Sequence, residues 1–379
     1  MANITESYGF AKQDPENLLR SLRLSQTVQS LYSRACFINI IFDLELNLDG
    51  HHWWENPFEA FFSRYTTLCS LAANTNRAIV NITHWQLASV IKLLRDPGQA
   101  SRNRLQLIDQ VLNNPFFNWD DSMIGEHLAP TLIDLAVDVW SMLSVAKFPG
   151  DISYDEPIHW EDNVTLTELV RKCFPLVPES QDIVKLPQTF TAAHLEKIGG
   201  IQVIWTSNLA DHLLLKEDDT KLMLFHQVSI LKLHQISPNN IFPKGLVNET
   251  IRTISLLVPP ALGEPTQWFQ QQQQMHKIDA EAGNCNRLNS SQRQIKNFVF
   301  WRDRLVLLKR TLDDAEPRNL SQLWWDDRKK TQWFTFWVAV MVFILTLFFG
   351  IVQSVASIVQ AWASVQSLRA QHAQIRGSS

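Results

Sequence analysis

Four histidines, His194, His212, His226 and His234, fall within about forty residues of one another, close enough in sequence to meet around one small structural element and hold a metal ion. Structural zinc usually takes tighter ligand pairs, often with cysteine, and the only Cys in this stretch of chain is the distant Cys173. The competing expectation is that Asp211-His212 is a turn or strand-end pair and that the other three are ordinary core or surface histidines. His194-Leu195-Glu196 has the His-x-Glu spacing of a zinc deaminase, but the Pro-Cys-x-x-Cys half of that metal site is missing. Asp134 and Asp138 lie four residues apart, on one face of any helix that contains them. They have the spacing to act together on a cation or as an acid and base. Without a Glu-x-x-His pattern beside them, a solvated stripe or a partner for arginine is the competing expectation. His194, His212, Asp134 and Asp138 are therefore the candidate pocket residues, with no catalytic residue, metal ligand or cofactor assigned.

Other chemistries leave no local trace. There is no GxxxxGK(S/T) phosphate loop, no GxGxxG after a strand, no HExxH and no GxSxG elbow. A net charge of −4 gives no general attraction to nucleic acid, which is not expected as a partner. Cys36, Cys69, Cys173 and Cys285 are widely spaced with no CxxC pair, which suits reduced thiols better than a disulfide framework. Trp53, Trp54, Phe58, Phe61 and Phe62 form an aromatic group that reads as core packing or a partner site.

The elements that must position these residues read as mainly α-helical. Asp14-Pro15-Glu16 opens a helix predicted to run on to Phe37–Phe42. Helices follow over 58–73, from a Thr83/Gln86 capping box to Asp96-Pro97-Gly98, over 102–112 and over 129–143. The last is apolar on nearly every face except Asp134, Asp138 and Ser141, which predicts a buried helix with one narrow wet stripe. Beyond a Pro-interrupted join containing a helix over 165–173, a short helix ends at Gly199-Gly200. Ile201–Thr206 alternates as a strand, and Leu213–Leu215 and Lys221–Phe225 flank the acidic tip Glu217-Asp218-Asp219, which predicts a small antiparallel sheet. Helices are expected over 226–233, 243–257 and 294–313, the last with Phe298, Trp301, Leu305, Leu308 and Leu312 on one stripe. The Gln270–Gln274 run reads as a solvated surface.

The strongest signal is Trp333–Val352, an apolar, uncharged run of the length a helix needs to cross about 30 Å of hydrocarbon. Trp333, Trp337, Val340, Phe343, Leu347 and Val352 mark the predicted span, and the lipid bilayer is the first expected partner. Arg328, Lys329 and Lys330 precede it, and no positive charge follows until Arg369, which predicts a single-pass protein with its N-terminal domain in the cytosol. The N-terminus shows no secretory signal pattern. Sequons at Asn3, Asn81, Asn163, Asn248, Asn289 and Asn319 would expose glycan acceptors in the opposite orientation. Past the span, Gly350, Ser354, Ser357, Ala361 and Ser364 form a small-residue face. It is suited to packing on a second copy of the chain or to lying on the far membrane surface. The organisation expected is an N-terminal helical half (1–147), an irregular join (148–187), a helical half with the small sheet (188–320), a juxtamembrane stretch (321–332), the span (333–352) and an amphipathic tail (353–379).

Four stretches resemble a family of uncharacterised proteins from filamentous ascomycete fungi: Ile198–Leu213 (IGGIQVIWTSNLADHL), Asn248–Val258 (NETIRTISLLV), Phe300–Val306 (FWRDRLV) and Trp324–Trp337 (WWDDRKKTQWFTFW). The resemblance covers mainly the second half. It implies a fungal source, a globular helical domain and a C-terminal membrane anchor, and carries over no functional residue. Together the readings point to a membrane-anchored interaction or scaffolding protein with an unidentified protein partner. The alternatives are a membrane-attached enzyme without a local motif and a self-associating membrane sensor.

Overall fold

The computed structural model describes residues 15–45, 58–117, 122–146, 148, 157–177, 184–260, 264–315 and 330–377. It divides into two units, Met1–Ala315 and Glu316–Ser379. The Asp14 cap, the His51–Pro57 loop with Trp53 and Trp54, and Trp324 and Trp325 lie outside the described residues, as do much of the 148–187 join and most of the juxtamembrane stretch.

The first unit is mainly helical with one three-stranded sheet, the class expected. Its opening helix is not continuous. It divides into α1 (Pro15–Ser21) and α2 (Leu31–Phe42), because residues between them have better partners than their own helix would offer. Leu24 N–H donates to Ile82 O at 2.8 Å, and His84 Nε2 lies 2.7 Å from Gln26 O. Ser30 then restarts the helix, its side chain accepting from Ser33 N. α3 (Glu59–Thr75) buries Phe61, Phe62 and Tyr65, so the described part of the aromatic group is core. α4 (His84–Arg95) begins with the Thr83/Gln86 capping box and stops at Asp96-Pro97. α5 (Arg104–Leu112) has a second box, Asn103 with Gln106, and α6 (Ser122–Ser141) packs against α3, α4 and α5. α7 (Leu166–Cys173) starts on a third box, Thr165 with Glu168.

After α8 (Ala192–Lys197) come β1 (Gln202–Thr206), β2 (Leu215–Lys216) and β3 (Lys221–Phe225), in spatial order β1-β3-β2. Only β2 and β3 pair antiparallel as expected. β1 pairs with β3 in parallel, Gln202 opposite Lys221 and Thr206 opposite Phe225, because the chain crosses over through residues 207–214 before β2. The acidic tip turns on three successive left-handed residues, Glu217, Asp218 and Asp219. α9 (Val228–Ile236), α10 (Leu246–Leu257), α11 (Glu264–Met275) and α12 (Arg302–Asp314) complete the unit.

One continuous core joins the two halves of this unit. Polar bonds cross it as well: Leu209 N–H donates to Met142 O at 2.8 Å, His234 Nε2 to Trp140 O at 2.9 Å, and Ser237 Oγ to Phe42 O at 2.8 Å. The glutamine run is not wholly solvated. Gln272 Oε1 accepts from Trp205 Nε1 at 3.0 Å, and Trp268 and Phe269 pack on the Trp205 ring, so α11 is fastened to β1.

The described part of the second unit is one helix, α13 (Lys330–Gly377), unbroken across the predicted boundary at 352. Its 48 residues extend about 70 Å at 1.5 Å per residue, more than twice a hydrocarbon core.

Candidate functional site

The polar side chains that sequence spacing suggested for chemistry sit on α6 (Asp134, Asp138), on α8 (His194), in the crossover after β1 (His212), directly after β3 (His226) and on α9 (His234). The carboxyl ends of parallel strands are where open α/β sheets place their sites. Asp134 and Asp138 share a helix but not a task. Asp134 accepts from Arg104 Nε at 3.2 Å and Nη2 at 2.9 Å, and Arg104 also reaches Asp162 at 2.6 Å. It is thus the arginine partner. Burial raises its carboxyl above the usual range, against the pull of Arg104.

Asp138 is not on a wet stripe. It is 1% exposed, and its Oδ1 accepts from Val145 N at 2.6 Å. The chain leaving α6 turns through Met142 in a left-handed conformation (φ 56°) and runs buried through Ala146, so its N–H groups need acceptors. Ser141 Oγ serves Leu143, Asn208 Oδ1 serves Ser144 and Asp138 serves Val145. Burial pushes the Asp138 carboxyl up to about 8, which makes it a mainly neutral acceptor at pH 7.

The histidines are separate too. His212 accepts from Phe225 N at its Nδ1 (3.3 Å), so its Nε2–H donates to Thr253 Oγ1 at 2.6 Å. Thr253 donates on to Thr250 O at 2.7 Å, Trp301 Nε1 donates to Thr250 Oγ1 at 2.9 Å, and the Trp301 ring lies edge-on to the imidazole. The ring is fully enclosed, and burial holds its pKa well below 6.5. Burial likewise lowers His234 to about 4 and His226 to about 3. His194 sits half-buried on α8, where its backbone N–H is capped by Thr191 Oγ1 at 3.2 Å. Among the described residues no three His, Cys, Asp or Glu side chains gather as ligands for a metal.

Ser207 and His226 form another hydroxyl–imidazole pair with the shape of a nucleophile and base, Oγ to Nε2 at 3.0 Å. The third group has the wrong polarity. In a triad a carboxylate accepts from Nδ1–H, whereas here Asp279 N–H donates to Nδ1 at 3.2 Å. Nε2 therefore carries the proton and cannot take one from Ser207. The Asp279 carboxylate is engaged elsewhere, accepting from Ser229 N at 2.6 Å, Ser229 Oγ at 2.7 Å and Glu281 N at 3.1 Å.

Glu249 was not singled out by spacing, yet it makes the densest set of bonds. Its carboxylate accepts from the backbone N–H groups of Val299 (2.8 Å), Phe300 (2.8 Å) and Trp301 (2.9 Å). These groups precede α12, so Glu249 from α10 holds the segment that leads into the helix in a non-helical path. That is why the helix expected from residue 294 begins only at Arg302, while Phe298 and Trp301 stay in the core ahead of it. Arg304 from the same helix donates to the carbonyls of Ala210 and His212 at 2.7 and 2.6 Å. No local pattern could have exposed Glu249; the only trace is that it and Phe300–Arg304 both fall within the stretches quoted for the fungal resemblance.

The second unit is built the other way round. Phe334–Arg369 contains an 18-residue window with a mean hydropathy of 2.5, and none of that window is buried within the structure. It is the one described helix long and apolar enough to cross a membrane, and it contains Trp337, Val340, Phe343, Leu347 and Val352; the Trp333 side chain lies outside the described residues. Its hydroxyls bond back to their own helix: Thr346 to Val342 O and Ser354 to Gly350 O at 2.8 Å, Ser357 to Gln353 O and Ser364 to Gln360 O at 2.9 Å. No protein-family model matches the chain, and comparison with curated proteins and with solved structures gives no match.

Proposed function

We propose that this is a single-pass membrane protein of fungal type whose helical N-terminal domain faces the cytosol and serves as an anchored interaction or scaffolding module. The observation that carries the reading is α13, a long helix whose most apolar window is unburied. Such a surface is stable only in lipid or against another apolar surface. Lys and Arg on its N-terminal flank support the cytosolic placement of the domain.

The engaged state of the buried polar groups supports binding over catalysis. Asp138, His212, Asp279 and Glu249 are committed to holding backbone or neighbouring side chains. On the outside, Phe116 and Leu176 are about two-thirds exposed and are candidate contact residues. A second copy of the chain is a further partner, because the self-bonded hydroxyls leave the Gly350–Ser364 face smooth enough for close helix packing.

A photo-crosslinking amino acid at Phe116 or Leu176 of the full-length protein in cells is expected to give discrete protein adducts. No adduct at either position would overturn the interaction reading. Crosslinking within the membrane is expected to give a dimer that Ser354→Leu abolishes, and an unchanged dimer would remove that face from the account.

A further inference from the structure

α13 is longer than a bilayer requires. With 333–352 in the hydrocarbon core, the helix still continues unbroken to Gly377, about 25 residues and about 37 Å at 1.5 Å per residue. Its apolar side chains past the span keep to a pattern. Ile351, Val355, Ile358, Trp362 and Val365 follow one another at alternating spacings of four and three, and each is about half to two-thirds exposed. Gln353, Gln360 and Ser367 repeat every seven residues on the opposite face. The apolar phase also runs back into the span through Phe348, Ile344 and Met341. A straight helix drifts by about 20° per heptad against such a repeat, so a seam held at seven residues stays closed only when helices wind around one another to the left.

Two observations choose what covers the seam. A helix laid along a lipid surface has to turn where it leaves the span, and it carries Lys or Arg on its polar face. α13 contains no Pro and is unbroken at that point, and no charged residue occurs between Lys330 and Arg369. The same lack of charge suits a second copy. Copies inserted in one membrane run in the same direction, so each residue meets its own counterpart, and a charged seam would repel itself. This one is uncharged, and Ser354 and Ala361 beside it are small enough for the backbones to approach.

We propose that residues 351–365 form the seam of a parallel, left-handed coiled coil between copies of this chain, beyond the membrane span. The proposal rests on the reading of 333–352 as that span, and it gives the second copy a defined face, register and direction.

The test uses the full-length protein in native membranes, with one cysteine added at a time and mild oxidation. Wild type, with its four free cysteines, sets the background. Val355→Cys and Ile358→Cys are expected to give disulfide-linked dimer in at least about fivefold greater yield than Gln353→Cys and Gln360→Cys, because only seam positions bring two identical Cβ atoms into bridging range. Adding Ile358→Glu/Trp362→Glu to the Val355→Cys protein is expected to remove the dimer, and adding Gln360→Glu to leave it. Equal yields on the two faces, no dimer above background at any position, or a dimer that survives the paired glutamates would each overturn the coiled coil. Carbonate extraction of the same membranes separates the two readings. A carbonate-resistant chain with any of those results loses the coiled coil alone, whereas a released chain loses the span and the coiled coil with it.

Discussion

The two units of the chain solve opposite solvation problems with much the same residue types. In residues 15–315 the apolar side chains are inside, and the buried polar ones are matched to backbone groups that sheet and helix leave over. In α13 the apolar side chains are outside, and the hydroxyls are turned back onto the helix's own carbonyls. The first arrangement uses water as the outer partner of polar groups; the second has no need of water along its middle. The difference teaches that polarity has to be judged by its partner: a serine on α13 and an aspartate on α6 are both internal bonding devices, although one lies on an exposed face and the other is buried.

The comparison breaks most readily on α13. Phe343→Arg with Leu347→Arg places two charges near the middle of the apolar stretch, at about 2.5–3.5 kcal/mol each. The expected result is loss of the carbonate-resistant membrane fraction. The contrast with the first unit is sharpest at Glu249. Glu249→Ala strands three N–H groups ahead of α12 and is expected to cost about 3–5 kcal/mol, whereas Glu249→Gln retains one acceptor oxygen and should cost about 1–2 kcal/mol. Unfolding in denaturant followed by tryptophan fluorescence separates the two, and equal losses would mean that the role given to the Glu249 carboxylate is mistaken. Thr253→Val leaves the His212 Nε2–H without its acceptor and is expected to cost about 1–3 kcal/mol in the same assay.

The smallest effect is a pH slope. Asp138 has its folded pKa raised to about 8, so the native state holds a proton that the unfolded chain releases near 4. The stability this gives is fully present below pH 4 and is lost as pH rises through about 8. The histidines run the other way. Their lowered folded pKa values mean that stability falls as pH drops through about 6.5, so between pH 6.5 and 8 they oppose the Asp138 slope, and a comparison with a variant at Asp138 isolates it. Relative to Asp138→Asn, which keeps the acceptor for Val145 N–H, wild type is expected to lose about 1–2 kcal/mol over that window. Unfolding midpoints at pH 6.5 and 8 check it.

How far the sequence carried depended on whether the deciding contact was local. The Thr83/Gln86 box, the Asp96-Pro97 stop and the apolar run of α13 rest on neighbours within a few residues, and the elements they mark lie where expected. The break between α1 and α2, the late start of α12 and the dry surroundings of Asp138 depend on partners 58, 52 and 7 residues away. No periodicity encodes these. The parallel β1–β3 pairing was hidden for a related reason: strand alternation shows which face is buried but not the direction of the neighbour. Among the candidate site residues, the type was informative and the grouping was not. The spacing reads His212 as part of an Asp211-His212 turn or strand-end pair or as one of four clustered histidines, and the bond its Nε2 makes is to Thr253 on α10.

The central claim is that α13 crosses a bilayer with residues 1–315 on the cytosolic side. Protease protection on intact microsomes and mitochondria, using the protein tagged at both ends with glycosidase treatment in parallel, tests it most directly. The account predicts an N-terminal tag digested without detergent, a protected C-terminal tag and no glycan. A protected N-terminal tag with glycans on Asn81, Asn163 or Asn248 would contradict it and place the folded domain on the opposite side of the membrane.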